Sequence, residues 1–231
     1  MLEGLCIVVT GASGNLGAVV CARLRGSGAS VFELVRKPSG ADQHAVDLTD
    51  EASVEAAYDA ALIRFVAAPA VGRGAGGLWA SVQCAGAWEG GTSVAETPLA
   101  VFERMVAANL RSCFLSSRAA LRRFRGAGRI VNVAAYGPSA GIGNGGAAAY
   151  AATKAGVIAL TRAIAEEGAG SGVRASCVAP GTMRTPANAR GMPSADQSGW
   201  VPLADVAEAI AQLCSPAAGA LTGAVLTLPS R

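Results

Sequence analysis

The sequence predicts a doubly wound α/β fold, a parallel sheet of about seven strands with helices on both faces. Three observations carry this expectation. Short runs rich in Val, Ile and Leu, such as Leu5–Thr10 and Arg129–Ala134, lack polar alternation, the mark of strands buried on both faces. These runs alternate with Ala-rich stretches of helical length, which is the pattern of β-α-β units. A turn with glycines at 11, 14 and 17 joins the first apolar run to the first helical stretch.

The elements follow in order. Leu5–Thr10 predicts a buried strand, Leu16–Arg25 a helix and Ser30–Val35 a second strand. Gln43–Leu48 predicts a short third strand, and a helix follows from about Ser53 to Ala67. Gly72–Gly77 is a glycine-rich loop. Leu78–Cys84 predicts the fourth strand and Leu99–Phe124 a long helix. Arg129–Ala134 predicts the fifth strand and Ala148–Glu167 a second long helix. Val173–Val178, Leu203–Cys214 and Ala224–Leu228 predict a strand, a helix and a last strand. Residues 185–202, with three prolines and several small polar residues, read as a mobile excursion over the surface. With no internal repeat and no long linker, residues 1–231 read as one domain.

Composition narrows the function classes. Hydrophobic residues make up 52% and charged residues 15%, which excludes a disordered chain. The net charge of +3 and the absence of a long basic run argue against a nucleic-acid partner. The densest basic cluster, Arg118, Arg122, Arg123 and Arg125, reads as a solvated helix end. Six cysteines at 6, 21, 84, 113, 177 and 214 form no C-x-x-C pair and sit in apolar runs, as reduced thiols do. One histidine, His44, and no clustered thiols argue against a metal site. The start of the chain has no basic region and too short an apolar run for a signal peptide. Lys154 and Arg162 interrupt the longest apolar helical stretch, so no membrane partner is expected. A cytoplasmic protein is the expectation.

The loop Gly11-Ala12-Ser13-Gly14-Asn15-Leu16-Gly17 has the chemistry of a phosphate cradle. Glycines let the backbone approach a pyrophosphate, and the helix N-terminus offers free N–H groups and a partial positive charge. The end of the second strand selects the nucleotide: an acid there holds a ribose 2′-hydroxyl, an arginine suits a 2′-phosphate. Val35 falls where the acid would sit and Arg36 just beyond, which favours NADPH over NADH. A register shifted by two residues would bring Glu33 to the ribose and reverse that preference. Tyr150 and Lys154 are four apart at a helix start, so phenol and ammonium share a face. A nearby cation lowers a phenol's pKa from its usual value of about 10 towards working pH.

Taken together, these residues resemble the short-chain dehydrogenase/reductases over nearly the whole chain, in order. Thr10–Gly17 resembles their cofactor loop, and Asp47-Leu48 the segment that holds the adenine. Cys84-Ala85-Gly86 resembles their N-A-G turn, and Asn109 the asparagine of their long helix. Tyr150 and Lys154 resemble the catalytic pair. Pro180-Gly181-Thr182-Met183-Arg184-Thr185 resembles the P-G-x-x-x-T segment beside the nicotinamide. The resemblance implies Tyr150 as proton donor, Lys154 as ribose ligand and tuner of Tyr150, and Asn109 as the orienter of a relay water. Pro180, Gly181, Met183 and Thr185 join the cofactor ligands. It also implies a small-molecule carbonyl substrate and a homodimer or homotetramer built on residues 99–124 and 148–167.

The chain departs from the family where a serine usually follows strand five. Ala135 stands there, with Ser139 and the Tyr136 hydroxyl as nearby substitutes. Gly14 and Asn15 also stand in reverse of the common order. Dihydropteridine reductases lack the same serine, and this chain is similar to them at Ala85–Gly91 and across Met192–Leu203. That similarity implies reduction of a quinonoid or conjugated C=N substrate, with Trp88 and Trp200 as flat stacking surfaces. A third reading is a cofactor-binding sensor or scaffold without turnover. Gly137-Pro138-Ser139-Ala140-Gly141 matches the hydrolase elbow G-x-S-x-G, but no histidine follows it. Asp205 and Glu208 read as helix-dipole partners.

Overall fold

The computed structural model describes residues 2–40, 42–67, 77–141 and 145–230. The strands are β1 (Cys6–Thr10), β2 (Ser30–Val35), β3 (Gln43–Ala45), β4 (Leu78–Gln83), β5 (Gly128–Val133), β6 (Val173–Pro180) and β7 (Val225–Leu228). They form a parallel sheet in the order β3-β2-β1-β4-β5-β6-β7. The expected doubly wound fold is therefore present, with its change of winding direction between β1 and β4.

β1 shows why its sequence does not alternate. Ile7 and Val9 pack into one core with Val20 and Leu24 of α1 (Asn15–Arg25) and Val206 and Ile210 of α8 (Leu203–Cys214). Cys6 and Val8 pack into the opposite core with Val54 and Tyr58 of α2 (Glu51–Ala67), Leu115 of α4 (Ser112–Leu121) and Ile164 of α6 (Ala148–Glu167). Each strand residue thus feeds one of two cores, and a polar residue on either face would be buried.

Boundaries differ from expectation where side chains intervene. α2 starts at Glu51, two residues early, because the Asp50 carboxylate accepts the Ser53 N–H at 2.7 Å. β3 stops at Ala45 rather than Leu48. Asp47 folds back on Thr49, accepting its N–H at 2.8 Å and its hydroxyl at 2.6 Å. The expected single helix over 99–124 is α3 (Leu99–Met105), a π-helical turn (Val106–Arg111) and α4. Of the Gly72–Gly77 loop, only Gly77 lies within the described residues. The arginines of the basic cluster are largely neutralised from α2. Arg122 and Arg123 meet Glu55 at 2.8 and 2.6 Å, Arg123 meets Asp59 at 2.7 Å, and Arg118 pairs with Glu51.

The 185–202 excursion contains a short helix, α7 (Pro186–Gly191), capped by the Thr185 hydroxyl. Its base is clasped: Arg184 donates its N–H to Val201 O at 2.8 Å, and Val201 donates to Thr182 O at 2.9 Å. No helix among the described residues is long and apolar enough to cross a membrane.

Candidate active site

A cleft of about 420 Å³ opens at the carboxyl ends of β1, β2 and β4, lined in part by Gly11, Ser13, Gly14, Val35, Arg36 and Gly86. This is the switch point at which open α/β sheets bind ligands. Gly11 has φ +65°, and a Cβ there would lie 2.8 Å from the Ala85 backbone. A Cβ on Gly17 would meet Gly11 O at 2.1 Å. Both positions exclude any larger residue, so the loop and the start of α1 lie closer together than side chains permit. No side chain caps α1, and its first turn holds no acid. Its N–H groups and positive dipole end therefore face the cleft uncompensated, as an anion site requires. Leu16 and Gly17 are buried, and the Leu16 side chain packs into the core.

At the nucleotide-selecting edge, Glu33 is sequestered. It is 8% exposed, accepts a hydrogen bond from Arg25 at 2.5 Å and another from Gln43 at 3.0 Å. Val35 ends β2 and borders the cleft, with exposed Arg36 beside it. On the floor of the cleft Val46, Leu48 and Thr49 join the lining. Asp47 is exposed and engaged with Thr49, which holds its carboxyl below the usual carboxylate range.

Lys154, Asn109 and Gly86 meet at one point. A Cβ on Gly86 would lie 2.9 Å from Asn109 Oδ1 and 3.3 Å from Lys154 Nζ. Lys154 is buried and donates to Val133 O at 2.8 Å, with its ammonium 5.9 Å from the Tyr150 ring centre. The expected depression of the phenol pKa is not found in this state. Burial pushes Tyr150 up to about 12, and burial holds the Lys154 ammonium below the usual lysine range. Desolvation outweighs attraction here because the ammonium points at a carbonyl rather than at the phenol oxygen.

The Asn109 side chain is held at both ends. Its Oδ1 accepts the Ala87 N–H at 2.9 Å, and its Nδ2 donates to Ala87 O at 3.0 Å and Thr153 Oγ1 at 3.2 Å. The side chain braces the loop after β4 and offers no free amide to a water. The π-helical turn carries it there, and Gly156 on α6 admits Leu110 of that turn, 3.2 Å or less from where a Cβ would stand. Thr153, which the sequence reading missed, receives Asn109 and donates to Tyr150 O at 2.7 Å. The signal was a hydroxyl inside Tyr150–Lys154, on the turn that separates the pair. A second missed group is the chain from Thr10 to Gln83 (3.2 Å), Ser81 (2.8 Å) and Tyr58 (2.6 Å), which runs through the core beneath the Ala85 turn.

The wall after β5, which leads into the short helix α5 (Tyr136–Ser139), carries no free hydroxyl at 135. Ala134 and Ala135 are buried, and Ser139 donates to Tyr136 O at 2.7 Å, so its substitute role is not met in this arrangement. Pro180 ends β6, Gly181 donates to Leu228 O, and Met183 bridges to Val201 at the mouth of the excursion. Trp200 is buried, whereas Trp88 is 66% exposed. Trp200 is therefore a packing residue and not a free stacking surface. Among the described residues no cluster suits a metal ion.

The family model described as enoyl-(acyl carrier protein) reductase matches residues 11–228. The chain is 34% identical to cis-4-hydroxycyclohexanecarboxylate dehydrogenase of Sinomonas cyclohexanicum, over 96% of this chain and 93% of that protein. It is 30% identical to a 3-oxoacyl-[acyl-carrier-protein] reductase of Vibrio cholerae, over 97% and 96%. Among solved structures it is similar to 3-ketoacyl-(acyl-carrier-protein) reductase of Brucella melitensis complexed with NADH. The TM-score is 0.85 at 28% identity, covering 100% of this chain and 98% of that one. A short-chain type dehydrogenase/reductase of Mycobacterium ulcerans superposes with a TM-score of 0.88 at 26% identity, over 99% and 89%.

Proposed function

The chain belongs to the short-chain dehydrogenase/reductases, NAD(P)-dependent oxidoreductases, and on that premise we propose that it is an NADPH-preferring reductase of a small-molecule carbonyl. The observation that carries the reading is the meeting of Lys154, Asn109 and Gly86 at the head of the glycine cradle, with Tyr150 one turn before Lys154 on α6. The cradle fits a dinucleotide: the Gly11–Ala85 approach leaves no room for a Cβ, and the uncapped start of α1 suits a pyrophosphate. When bound, NADPH supplies a hydride and leaves as NADP+.

The chain's own residues do the rest. Ser13, Asn15 and Leu16 would offer the pyrophosphate backbone N–H groups, with Gly14 shaping the turn by donating its own N–H to Gly11 O at 2.9 Å, and Leu48 would pack beside the adenine. Arg36 pairs with the 2′-phosphate, a site from which the sequestered Glu33 is withdrawn. Lys154 holds the nicotinamide ribose, and the Pro180–Thr185 segment borders the nicotinamide. Tyr150 gives its proton to the substrate oxygen, so that C=O becomes CH–OH, with the hydride on carbon. A phenol held up to about 12 by burial is protonated at neutral pH, as a proton donor must be. Exposed Leu99, Phe102 and Phe114 on α3 and α4 support a homodimer or homotetramer built on these helices and α6. Six free thiols, five of them buried, support a reducing compartment such as the cytoplasm.

A second reading, reduction of a quinonoid or conjugated C=N substrate, is favoured by Ala135, which removes the hydroxyl that usually partners the catalytic tyrosine. The test is NADPH oxidation against panels of ketones and quinonoid pterins, with Tyr150→Phe alongside. Loss of about 10²–10⁴-fold in turnover with NADPH binding retained is expected. Tight binding with no turnover on either panel would favour a sensor.

A further inference from the structure

We propose that Tyr58 is a positioning residue for the cofactor: acting through Ser81 and Gln83, its hydroxyl sets the Thr10 hydroxyl, and so the approach of the Gly11 and Ala85 loops on which the dinucleotide rests. The proposal rests on the reductase reading above and extends it to a residue buried in the core.

The hydrogen bonds run where an apolar core would be expected. On the face of the sheet that packs α2, β1 and β4 present Cys6, Val8 and Leu78 to apolar neighbours. Towards the carboxyl ends the same face turns polar, with Thr10, Ser81 and Gln83 all buried. Tyr58 enters from α2 and is itself fully buried. Buried hydroxyls and amides cost free energy unless they are paired, and here each is paired. Tyr58 Oη meets Ser81 Oγ at 2.6 Å, Gln83 Nε2 donates to Ser81 Oγ at 2.8 Å, and Thr10 Oγ1 donates to Gln83 Oε1 at 3.2 Å. Ala85 donates its N–H to Thr10 Oγ1 at 3.4 Å.

This chain has a direction. An amide side chain accepts at one end and donates at the other, so Gln83 shows Oε1 to Thr10 only while Nε2 faces an accepting Ser81. The Tyr58 hydroxyl takes the Ser81 proton or gives its own, and in both cases leaves Ser81 a lone pair for Nε2. Without it, the Ser81 O–H turns to Gln83 and the amide reverses. Nε2 then competes with the Ala85 N–H for the Thr10 hydroxyl. Burial pushes the Tyr58 phenol up to about 12, so it keeps its proton at working pH.

The far end of the chain is the cleft. Pairing of β1 with β4 ends at Thr10 and Gln83, and the Ala85 N–H bond to Thr10 takes over where the ladder stops. The loops beyond are close: a Cβ on Gly11 would lie 2.8 Å from the Ala85 Cα and N. Both residues line the cleft, and Gly86, next in the chain, meets Asn109 and Lys154. A shift of the Ala85 turn is therefore felt where the cofactor binds.

The test measures NADPH affinity by fluorescence titration, with KM and kcat alongside, for the wild type, Tyr58→Phe, Ser81→Ala and the double variant. Phe65→Leu, on the same helix and in the same core but outside the hydrogen-bonded chain, controls for stability alone. Tyr58→Phe is expected to raise Kd and KM for NADPH about fivefold, the worth of one net hydrogen bond, with kcat at saturation unchanged. Ser81→Ala should do the same, and the double variant no more than either, because the two act through one chain. Phe65→Leu should lower the unfolding temperature and leave NADPH binding unchanged. An unchanged Kd in Tyr58→Phe, a multiplied effect in the double variant, or an equal Kd rise in Phe65→Leu overturns the proposal. If the wild type binds neither NADPH nor NADH, the reductase reading fails instead. Hydrogen exchange then decides: the Ala85 amide should exchange faster in Tyr58→Phe than in the wild type and Phe65→Leu, and equal rates overturn the positioning role.

Discussion

A carboxylate at position 35 would reach the edge of the cleft that Arg36 borders, because Val35 is the last residue of β2 and faces the lining. Val35→Asp with Arg36→Ala is expected to move the preference from NADPH towards NADH by about 10- to 100-fold in the ratio of kcat/KM, the worth of one or two charge-assisted hydrogen bonds. An unchanged ratio would place the selecting residue elsewhere. Ala135→Ser returns a hydroxyl to the wall, and a gain of about tenfold in kcat on saturated ketones is its expected signature. The residue types at these positions were legible in the sequence, because Tyr150, Lys154, Asn109 and the glycines fall at family spacings. What they do to each other was not. The direction of the Lys154 ammonium, towards Val133 O, follows from how α6 lies on β5, and that is a tertiary fact. The engagement of Asn109 by Ala87 depends likewise on the π-helical turn, for which no residue pattern gave warning.

Helix and strand identities could be read because the apolar periods are clean, and α6 and α8 end where their sequences say. Two of the misplaced ends are set by local side-chain hydrogen bonds, at Asp50 and Asp47. At this scale the loop before α1 makes the sharpest prediction. Gly17→Ala places a methyl where Gly11 O now lies, so the loop must open or α1 must tilt. Loss of NADPH binding together with a lower unfolding temperature is expected; retained binding at full stability would mean the loop has slack that the geometry denies. Asp50→Ala removes the cap of α2 and should cost about 1 kcal/mol in urea unfolding.

Across the molecule, eight buried or half-buried acids titrate late. Burial raises all six thiols, and it pushes the phenols of Tyr58 and Tyr150 up to about 12. The folded chain thus keeps protons that the unfolded chain releases, and stability must fall as pH rises from about 9 through about 12. Lys154, lowered by burial, works in the opposite direction, but it is one group against eight. Urea midpoints at pH 8, 9.5 and 11 should decline in sequence, and a flat series would contradict the burial of these groups. The thiols have a further use. Cys6, Cys21, Cys113, Cys177 and Cys214 are buried on five different elements, and Cys84 borders the cleft. Each is silent to an alkylating reagent until its own element opens. Pulsed iodoacetamide followed by peptide mass spectrometry would therefore time the opening of β1, α1, α4, β6 and α8 separately in the unmodified protein. Cys84, shielded when the cleft is filled, would report occupancy in the same spectrum.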